Sequence, residues 1–416
     1  MTDQEPFLRR LFDRAVEVAD PMQSLAAYLP PKPKGRLVVI GAGKASARMA
    51  EAVEAVYGPC EGLVITRYGY GRPCAGIEIV EAAHPVPDEA GMVATRRLLK
   101  LLETTGEGDM VLALISGGGS ALLTAPAGDI SLEEKRAMTD ALLASGAPIG
   151  DINGIRKQVS AVKGGKLAAA AYPAEMLALM ISDVPGDNPG DIASGPTVGD
   201  DGDAARAIAT LEQWGVTPPA SIAAYLAAGA DPLAADDERL SRVTNVIYAA
   251  PSQSLEAAAE MARAEGVEAR ILGDALEGEA RDVAMEHAQT AMALQASLPP
   301  GAAPVLLLSG GELTVTRRGN GIGGPNAEYA LALAIALKGA QGIHAIACDT
   351  DGVDGAAEVA GAVIGPDALV GGESALTALE RNDAHGFFER SGGQVVTGPT
   401  LTNVNDFRAI LIEPRG

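Results

Sequence analysis

The chain has 416 residues, room for two or three domains, and its 47% hydrophobic and 21% charged residues describe a folded protein rather than a disordered one. A net charge of −22 argues against nucleic acid or an anionic membrane as a partner of the protein's general field. Any site for phosphate or carboxylate must then be locally positive, so each Lys or Arg inside a motif is informative.

Aromatic residues make up 3% and glycines number 50, so the cores are expected from Ala, Val, Leu and Ile in tightly packed layers. The three cysteines, Cys60, Cys74 and Cys348, lack metal-ligand spacing and fit a reducing compartment. No apolar leader pattern opens the sequence and no run of about 18 apolar residues occurs, so a cytoplasmic protein is expected.

In chain order, a helix is predicted over 5–28, ended by Pro30-Pro31-Lys32-Pro33. Strands follow at 37–40, 62–66 and 77–80, with helices over 45–56 and 88–103. An apolar strand at 110–115 runs into a glycine loop, and Ser131-x-x-Glu134 is a capping box that opens a helix. Residues 153–171 read as a helix and 176–181 as a strand. The pattern breaks around 217–237, then resumes with strands at 245–249, 268–272, 305–308, 313–317 and 343–347 and helices from Gln253, Glu279 and Asn326. This alternation predicts an α/β protein of two parallel-rich three-layer domains, residues 1–237 and 238–416, with an active-site cleft between them.

Glycine loops that follow apolar strands are where the chemistry is expected, because their backbone N–H groups close around anions. The first, Gly41-Ala-Gly43-Lys44, lacks the third glycine of a dinucleotide fingerprint, since Ser46 stands there, and its spacing is not that of a Walker A loop. Its lysine suits a transferring phosphoryl group. The second, Ser116-Gly117-Gly118-Gly119-Ser120, is the strongest anion nest in the chain; as a serine nucleophile site it lacks the G-x-S-x-G elbow. In 153–166, four cations interleave with Asn, Gln and Ser, and a helix would put Asn153, Arg156 or Lys157, Ser160 and Lys163 on one face. Ser182-Asp183-Val-Pro-Gly-Asp187 offers carboxylates for Mg²⁺ or for a base, against the plainer reading of turn formers. Ser309-Gly-Gly-Glu312, the turn Gly319 to Asn326, Asp349-Thr-Asp351-Gly352 and Thr402-Asn-Val-Asn-Asp406 complete the polar loops. His84, before Pro85, is a possible ligand contact, while His287, His344 and His385 read as structural or exposed.

Taken in order, Gly41 to Ala45, His84 to Asp88, Ser116 to Ala121, Asn153 to Gly165, Ser182 to Asp187, Ser194 to Pro196, Ser309 to Glu312, Gly323 to Asn326, Asp349 to Gly352 and Thr402 to Asp406 resemble the class II glycerate kinase family, whose C-terminal part is the MOFRL domain. The resemblance covers nearly the whole chain. It implies transfer of a phosphoryl group from ATP, with Mg²⁺, to D-glycerate, commonly giving 2-phosphoglycerate. Lys44 is then the catalytic lysine and Asp183 the residue that orients or deprotonates the hydroxyl. Ser116, Gly117, Gly118, Gly119, Ser120, Arg156 and Lys163 are expected at the substrate. Gly41, Gly43, Glu312, Gly323, Gly324 and Asn326 are expected at the nucleotide, and Asp187 and Asp351 at the metal. Pro325 departs from the family, whose members often carry Arg there; Arg317 or Arg318 is the expected substitute.

Two rivals belong to other classes. An NAD(P)H-dependent hydroxypyruvate reductase needs a nicotinamide site, against which the missing third glycine counts. A non-catalytic nucleotide- or sugar-acid-binding protein would bind without turnover. Partners are expected to be small molecules, with a homodimer compatible with the sequence.

Overall fold

Strand and helix alternate because short β-branched and aliphatic runs are separated by alanine-rich amphipathic segments and glycine turns. A computed structural model describes residues 4–230, 233–355, 357–370 and 374–415. It has two six-stranded sheets with helices packed on them, the α/β class expected.

The strands are β1 (Leu37–Ala42), β2 (Glu61–Arg67), β3 (Ile77–Ala82), β4 (Met110–Ile115), β5 (Glu175–Ile181), β6 (Val243–Ala249), β7 (Glu268–Gly273), β8 (Val305–Gly310), β9 (Ile343–Asp349), β10 (Gly361–Ile364), β11 (Gln394–Val395) and β12 (Asp406–Ile412). The first sheet has the order β3-β2-β1-β4-β5-β6. Its pairings β3–β2, β2–β1, β1–β4 and β4–β5 are all parallel. The chain winds outward from β1 to β3 and then returns to β4 on the other side. The loops leaving β1 and β4 therefore diverge, and in such sheets a ligand crevice opens at that reversal, beyond the carboxyl ends of the strands. The second sheet has the order β11-β10-β9-β12-β8-β7. Here β7 and β8 pair in parallel, and β12 inserts antiparallel between β8 and β9. Strands β8 and β9 thus point the same way, as their helical crossover requires, and the closing strand fills the gap between them.

By contacts the chain divides into two units. One comprises Ser24–Ser182 and Asp187–Tyr248; the other takes the chain up to Gln23, Asp183–Gly186, and everything from Ala249 on. The boundary expected at 237/238 is therefore corrected in three places. The helix Gln4–Ala19 belongs with the C-terminal unit, because Phe7, Leu8, Leu11, Phe12 and Ala15 form one apolar stripe that packs on Leu255, Ala258, Ala259, Leu308, Ile346 and Phe407. The rings of Phe12 and Phe407 sit 5.9 Å apart, centroid to centroid. Residues 217–237 are no boundary, since Ile222 and Leu226 of the helix Ala220–Ala227 join the core of the N-terminal unit's helices. β6 also extends the first sheet rather than opening the second domain.

Three predicted elements are shorter than expected. The opening helix stops at Ala19, where the Asp20 carboxylate takes the Met22 N–H and Pro21 has none to give. The helix read over 153–171 is the helix Ile149–Gln158 and the short helix Lys166–Ala169, parted at Gly164 and Gly165 with φ of +58° and +79°. Residues 313–317 form no strand. Thr314 makes only an isolated bridge to Glu279, whose carboxylate takes the Thr316 N–H. The Ser131 capping box is formed as predicted.

The N-terminal stripe yields the first test. Phe12 is 1% exposed, so Phe12→Ala should destabilise the fold by about 3–5 kcal/mol, and Phe12→Leu by much less. Thermal denaturation reads this, and a melting temperature unchanged by Phe12→Ala would show that the helix is dispensable.

Candidate active site

At the reversal point of the first sheet, the loop after β1 is pressed onto the loop after β4. A Cβ on Gly41 would overlap the Leu114 carbonyl, and one on Gly43, whose φ is +148°, would overlap Ser116 Oγ. The β1 loop spends its own donors within the protein. Gly43 N–H donates to Ile65 O (3.1 Å), Lys44 N–H to Gly117 O (2.8 Å), Ala45 N–H to Ser116 Oγ (3.1 Å) and Ser46 N–H to Gly43 O (3.2 Å). Gly41 and Gly43, expected to cradle a nucleotide, are packing positions, and the amides of Gly43, Lys44, Ala45 and Ser46 are donated within the protein. Ser116, expected at the substrate, is fully buried; its hydroxyl joins the two loops through Ala45 and Ser46.

The anion nest lies one step further along. Gly119 N–H donates to Ser116 O, but among the described residues no acceptor takes the N–H of Gly117 or Gly118. Gly118 adopts φ +79°, and a Cβ there would lie 3.0 Å from His84 Cδ2 and 3.2 Å from Lys44 Cγ. The stem of Lys44 and the ring of His84 therefore lie over this glycine. Gly119 is needed for close approach as well, since its Cβ would meet the Ala193 Cβ at 2.8 Å.

Ser120 closes the loop and gathers the positive charge. Its Oγ lies 2.8 Å from Arg156 Nη2, 3.0 Å from Lys163 Nζ and 2.8 Å from Ser194 Oγ. Lys163 Nζ also reaches Ser120 O at 2.8 Å and Ala193 O at 3.4 Å. Behind them Lys135, 3% exposed, bonds Thr124 Oγ1 at 2.6 Å. Among the described residues no carboxylate pairs with Lys135, Arg156 or Lys163, while the neighbouring Lys157 is matched by Asp200 at 3.2 Å. Burial, reinforced by Arg156, pulls the Lys135 ammonium down to about 7. Burial also lowers Arg156, and it pushes Lys163 well below the usual lysine range with help from Arg156, Lys135 and Lys157. Basic groups brought out of water without a counter-charge are expected either to lose protons or to attract an anion.

The route by which Lys163 arrives differs from the predicted helix face. The helix ends at Gln158, Ser160 Oγ accepts the N–H groups of Val162 and Lys163, and the Gly164-Gly165 turn swings the lysine inward. Lys163 is fully buried, and among the described residues its Nζ bonds only Ser120 and Ala193. Sequence reasoning missed Lys135, hidden in an ordinary amphipathic helix, and gave no role to Ser194. Ala193 and Ser194 adopt φ of +53° and +63°, uncommon for non-glycine residues. Gly164 N–H holds Ser194 O, and Gly165 N–H holds Gly195 O.

The remaining predicted residues, apart from Asp187, stand in the C-terminal unit. Asp183 is fixed there by Asn403 Nδ2 on its carboxylate (3.1 Å) and Asn405 Nδ2 on its carbonyl (3.0 Å). Asn326 is 1% exposed and bridges Asp354 and Asp406, so it is a framework residue of this unit. Gly324 has no room for a Cβ against the Asp354 carboxylate, and Gly323 packs on Asn382. Asp351 is fully buried, with Oδ1 taking the Val353 N–H, the pattern of a turn former. Glu312, Arg317 and Arg318 are exposed. Asp187 lies in the N-terminal unit with φ +51°. Among the described residues no three His, Cys, Asp or Glu side chains converge as metal ligands.

Gly118 and Gly146 share a left-handed backbone, but only Gly118 is crowded, by His84 and Lys44. Gly118→Ala and Gly146→Ala should each lose about 1–2 kcal/mol of stability. Only Gly118→Ala should weaken binding of inorganic phosphate, by about tenfold or more, in a calorimetric titration; equal affinities would place the anion elsewhere.

Comparison with known proteins agrees with this architecture. The model of a domain of unknown function, DUF4147, matches residues 7–227, and the MOFRL family model matches residues 305–406. An Agrobacterium vitis protein carrying the provisional name hydroxypyruvate reductase is 50% identical, over 97% of this chain and 94% of its own. The D-glycerate 2-kinase of Thermotoga maritima is 37% identical, over 94% of each chain. A crystal structure of glycerate kinase from Thermotoga maritima superposes with a TM-score of 0.89 at 36% identity, covering 99% of this chain and 100% of that one. With sequence and fold matched across nearly its whole length, the chain belongs to the glycerate 2-kinase family.

Proposed function

We propose that this protein transfers the γ-phosphoryl group of ATP to the 2-hydroxyl of D-glycerate, giving 2-phospho-D-glycerate. The observation that carries the reading is the buried basic cluster around Ser120, which has no carboxylate partner among the described residues, on the same loop as the Gly117 and Gly118 amides, which none of those residues accepts. A phosphorylated hydroxy acid has two anionic ends, and this loop offers two anion-binding ends. Arg156, with a planar fork of donors, suits the carboxylate. Ser120 Oγ, 2.8 Å from Arg156 Nη2, suits the hydroxyl on the neighbouring carbon, which is the 2-hydroxyl; the 3-hydroxyl lies one carbon further away. The amides of Gly117 and Gly118, with Lys44 above them, suit the oxygens of the transferring phosphoryl group, where positive charge lowers the barrier.

Mg²⁺ in this reading arrives on the triphosphate. Such an ion keeps waters and needs only one or two protein carboxylates. When bound, the ion supplies further positive charge to the phosphate oxygens.

The reductase reading, which the provisional name of one relative suggests, finds less support. The β1 loop that would carry the dinucleotide pyrophosphate has committed its amides inside the protein.

With ATP, Mg²⁺ and D-glycerate, phosphorus NMR should show 2-phosphoglycerate accumulating, and NADH with hydroxypyruvate should give no oxidation. Lys44→Met should lower kcat by about 100- to 1,000-fold with the fold retained. Hydroxypyruvate-dependent NADH consumption, or near-normal turnover by Lys44→Met, would remove the assignment.

A further inference from the structure

The hydrogen bonds around Ser120 can be counted completely. Its Oγ has three neighbours, Arg156 Nη2, Lys163 Nζ and Ser194 Oγ, and a hydroxyl can accept two bonds and donate one. Arg156 can only donate. If Lys163 is an ammonium, it also donates, so the Ser120 proton must go to Ser194. The Ser194 proton then has no acceptor among the described residues, although this side chain is 1% exposed. A buried hydroxyl proton without an acceptor is costly. If Lys163 is a neutral amine, the count closes. Its two N–H groups go to Ser120 O and Ala193 O, its lone pair takes the Ser120 proton, and Arg156 and Ser194 fill the two lone pairs of Ser120.

We propose that Ser120 and Lys163 form a hydroxyl–amine pair in which the buried amine accepts the Ser120 proton, making Ser120 the catalytic group that takes the proton from the acceptor hydroxyl.

The surroundings favour the uncharged amine. Lys163 faces Arg156 and Lys157 from the helix Ile149–Gln158 and Lys135 from the helix Leu132–Ala144, with no carboxylate in contact among the described residues. Burial and these three cations hold its ammonium well below the ordinary lysine range. The turn at Ala193 and Ser194 is held in its left-handed conformation by Gly164 and Gly165, which keeps the Ala193 carbonyl on Lys163 and the Ser194 hydroxyl on Ser120.

In phosphoryl transfer the acceptor oxygen forms its bond to phosphorus as the bond from the γ-phosphorus to the ADP oxygen breaks. The acceptor's proton passes to Ser120 Oγ while the Ser120 proton passes to Lys163 Nζ, which becomes an ammonium and returns its proton by way of Ser120 after product release. This step rests on the glycerate reading of the site. The pair itself does not, because a serine whose proton is drawn off by an amine attacks activated phosphorus whatever the natural substrate. With a fluorophosphonate, the Ser120 Oγ–P bond forms, fluoride leaves, and Lys163 takes the proton.

Fluorophosphonate labelling followed by mass mapping therefore tests the pair first. The wild-type protein should be labelled at Ser120 with one label per chain, at a rate that rises to a plateau with a midpoint well below the ordinary lysine pKa. Ser116→Ala should still be labelled. Lys163→Met, if folded, should be labelled at least about 100-fold more slowly; if it fails to fold, the wild-type plateau alone decides. No label on Ser120, or a rate that climbs with pH without a midpoint, overturns the pair. The relay is then read from turnover. Ser120→Ala should lose about 100-fold or more in kcat with D-glycerate, and the wild-type kcat should fall on the acid side with the same midpoint as the labelling. Unchanged kcat in Ser120→Ala overturns the relay. Ser120 labelling in a protein that does not phosphorylate D-glycerate would instead overturn the substrate reading and leave the pair standing.

Discussion

Burying positive charge without a partner is the constraint around which the N-terminal unit is organised. Charge taken out of water is expensive unless it is paired or neutralised. Lys135, Arg156 and Lys163 are brought together by two helices and a glycine turn, and among the described residues no carboxylate in contact relieves them. The protein meets the cost by proton loss, with Lys135 drawn down to about 7 and Lys163 held well below the usual lysine range. In a chain of net charge −22, such a cluster is also the local field an anionic substrate needs.

The C-terminal unit treats buried charge in the opposite way. Arg408 lies 2.5 Å from Asp406 and stacks on Tyr329, Arg281 pairs with Glu328 at 2.5 Å, and His385 sits 2.9 Å from Asp354. The guanidinium groups of Arg281 and Arg408 each have a fixed carboxylate partner, and Asn326 ties the Asp354 and Asp406 carboxylates together. That network is a framework beneath the polar loops at the ends of β8 and β9.

Much of this was legible in the sequence. The β–loop–helix units around Gly41 and Ser116 declare themselves through apolar runs ending in glycine, and the capping box at Ser131 forms as read. Topology was not legible, because strand order depends on which helices cover which face, and nothing local encodes the return of the chain from β3 to β4. The opening helix was read correctly as a helix, but its partner, Phe407, lies at the far end of the chain. Among the proposed site residues, Lys44, Ser120 and Arg156 stand out in the sequence because cations and hydroxyls are conspicuous beside glycine. Ser116, Gly41 and Gly43 were assigned to ligands although their atoms are consumed in packing the two loops together. Lys135 was invisible, since a lysine in an amphipathic helix looks solvated until the fold covers it. Ser194 gained meaning only from a left-handed turn that its own sequence does not announce.

The uncompensated charge can be tested directly by calorimetric titration with D-glycerate and with glycerol, its uncharged analogue. The account predicts that D-glycerate binds, that glycerol does not, and that Arg156→Met weakens D-glycerate binding by about tenfold or more, the loss of a charge-assisted hydrogen bond. Equal binding of the two ligands, or D-glycerate affinity indifferent to Arg156, would contradict it.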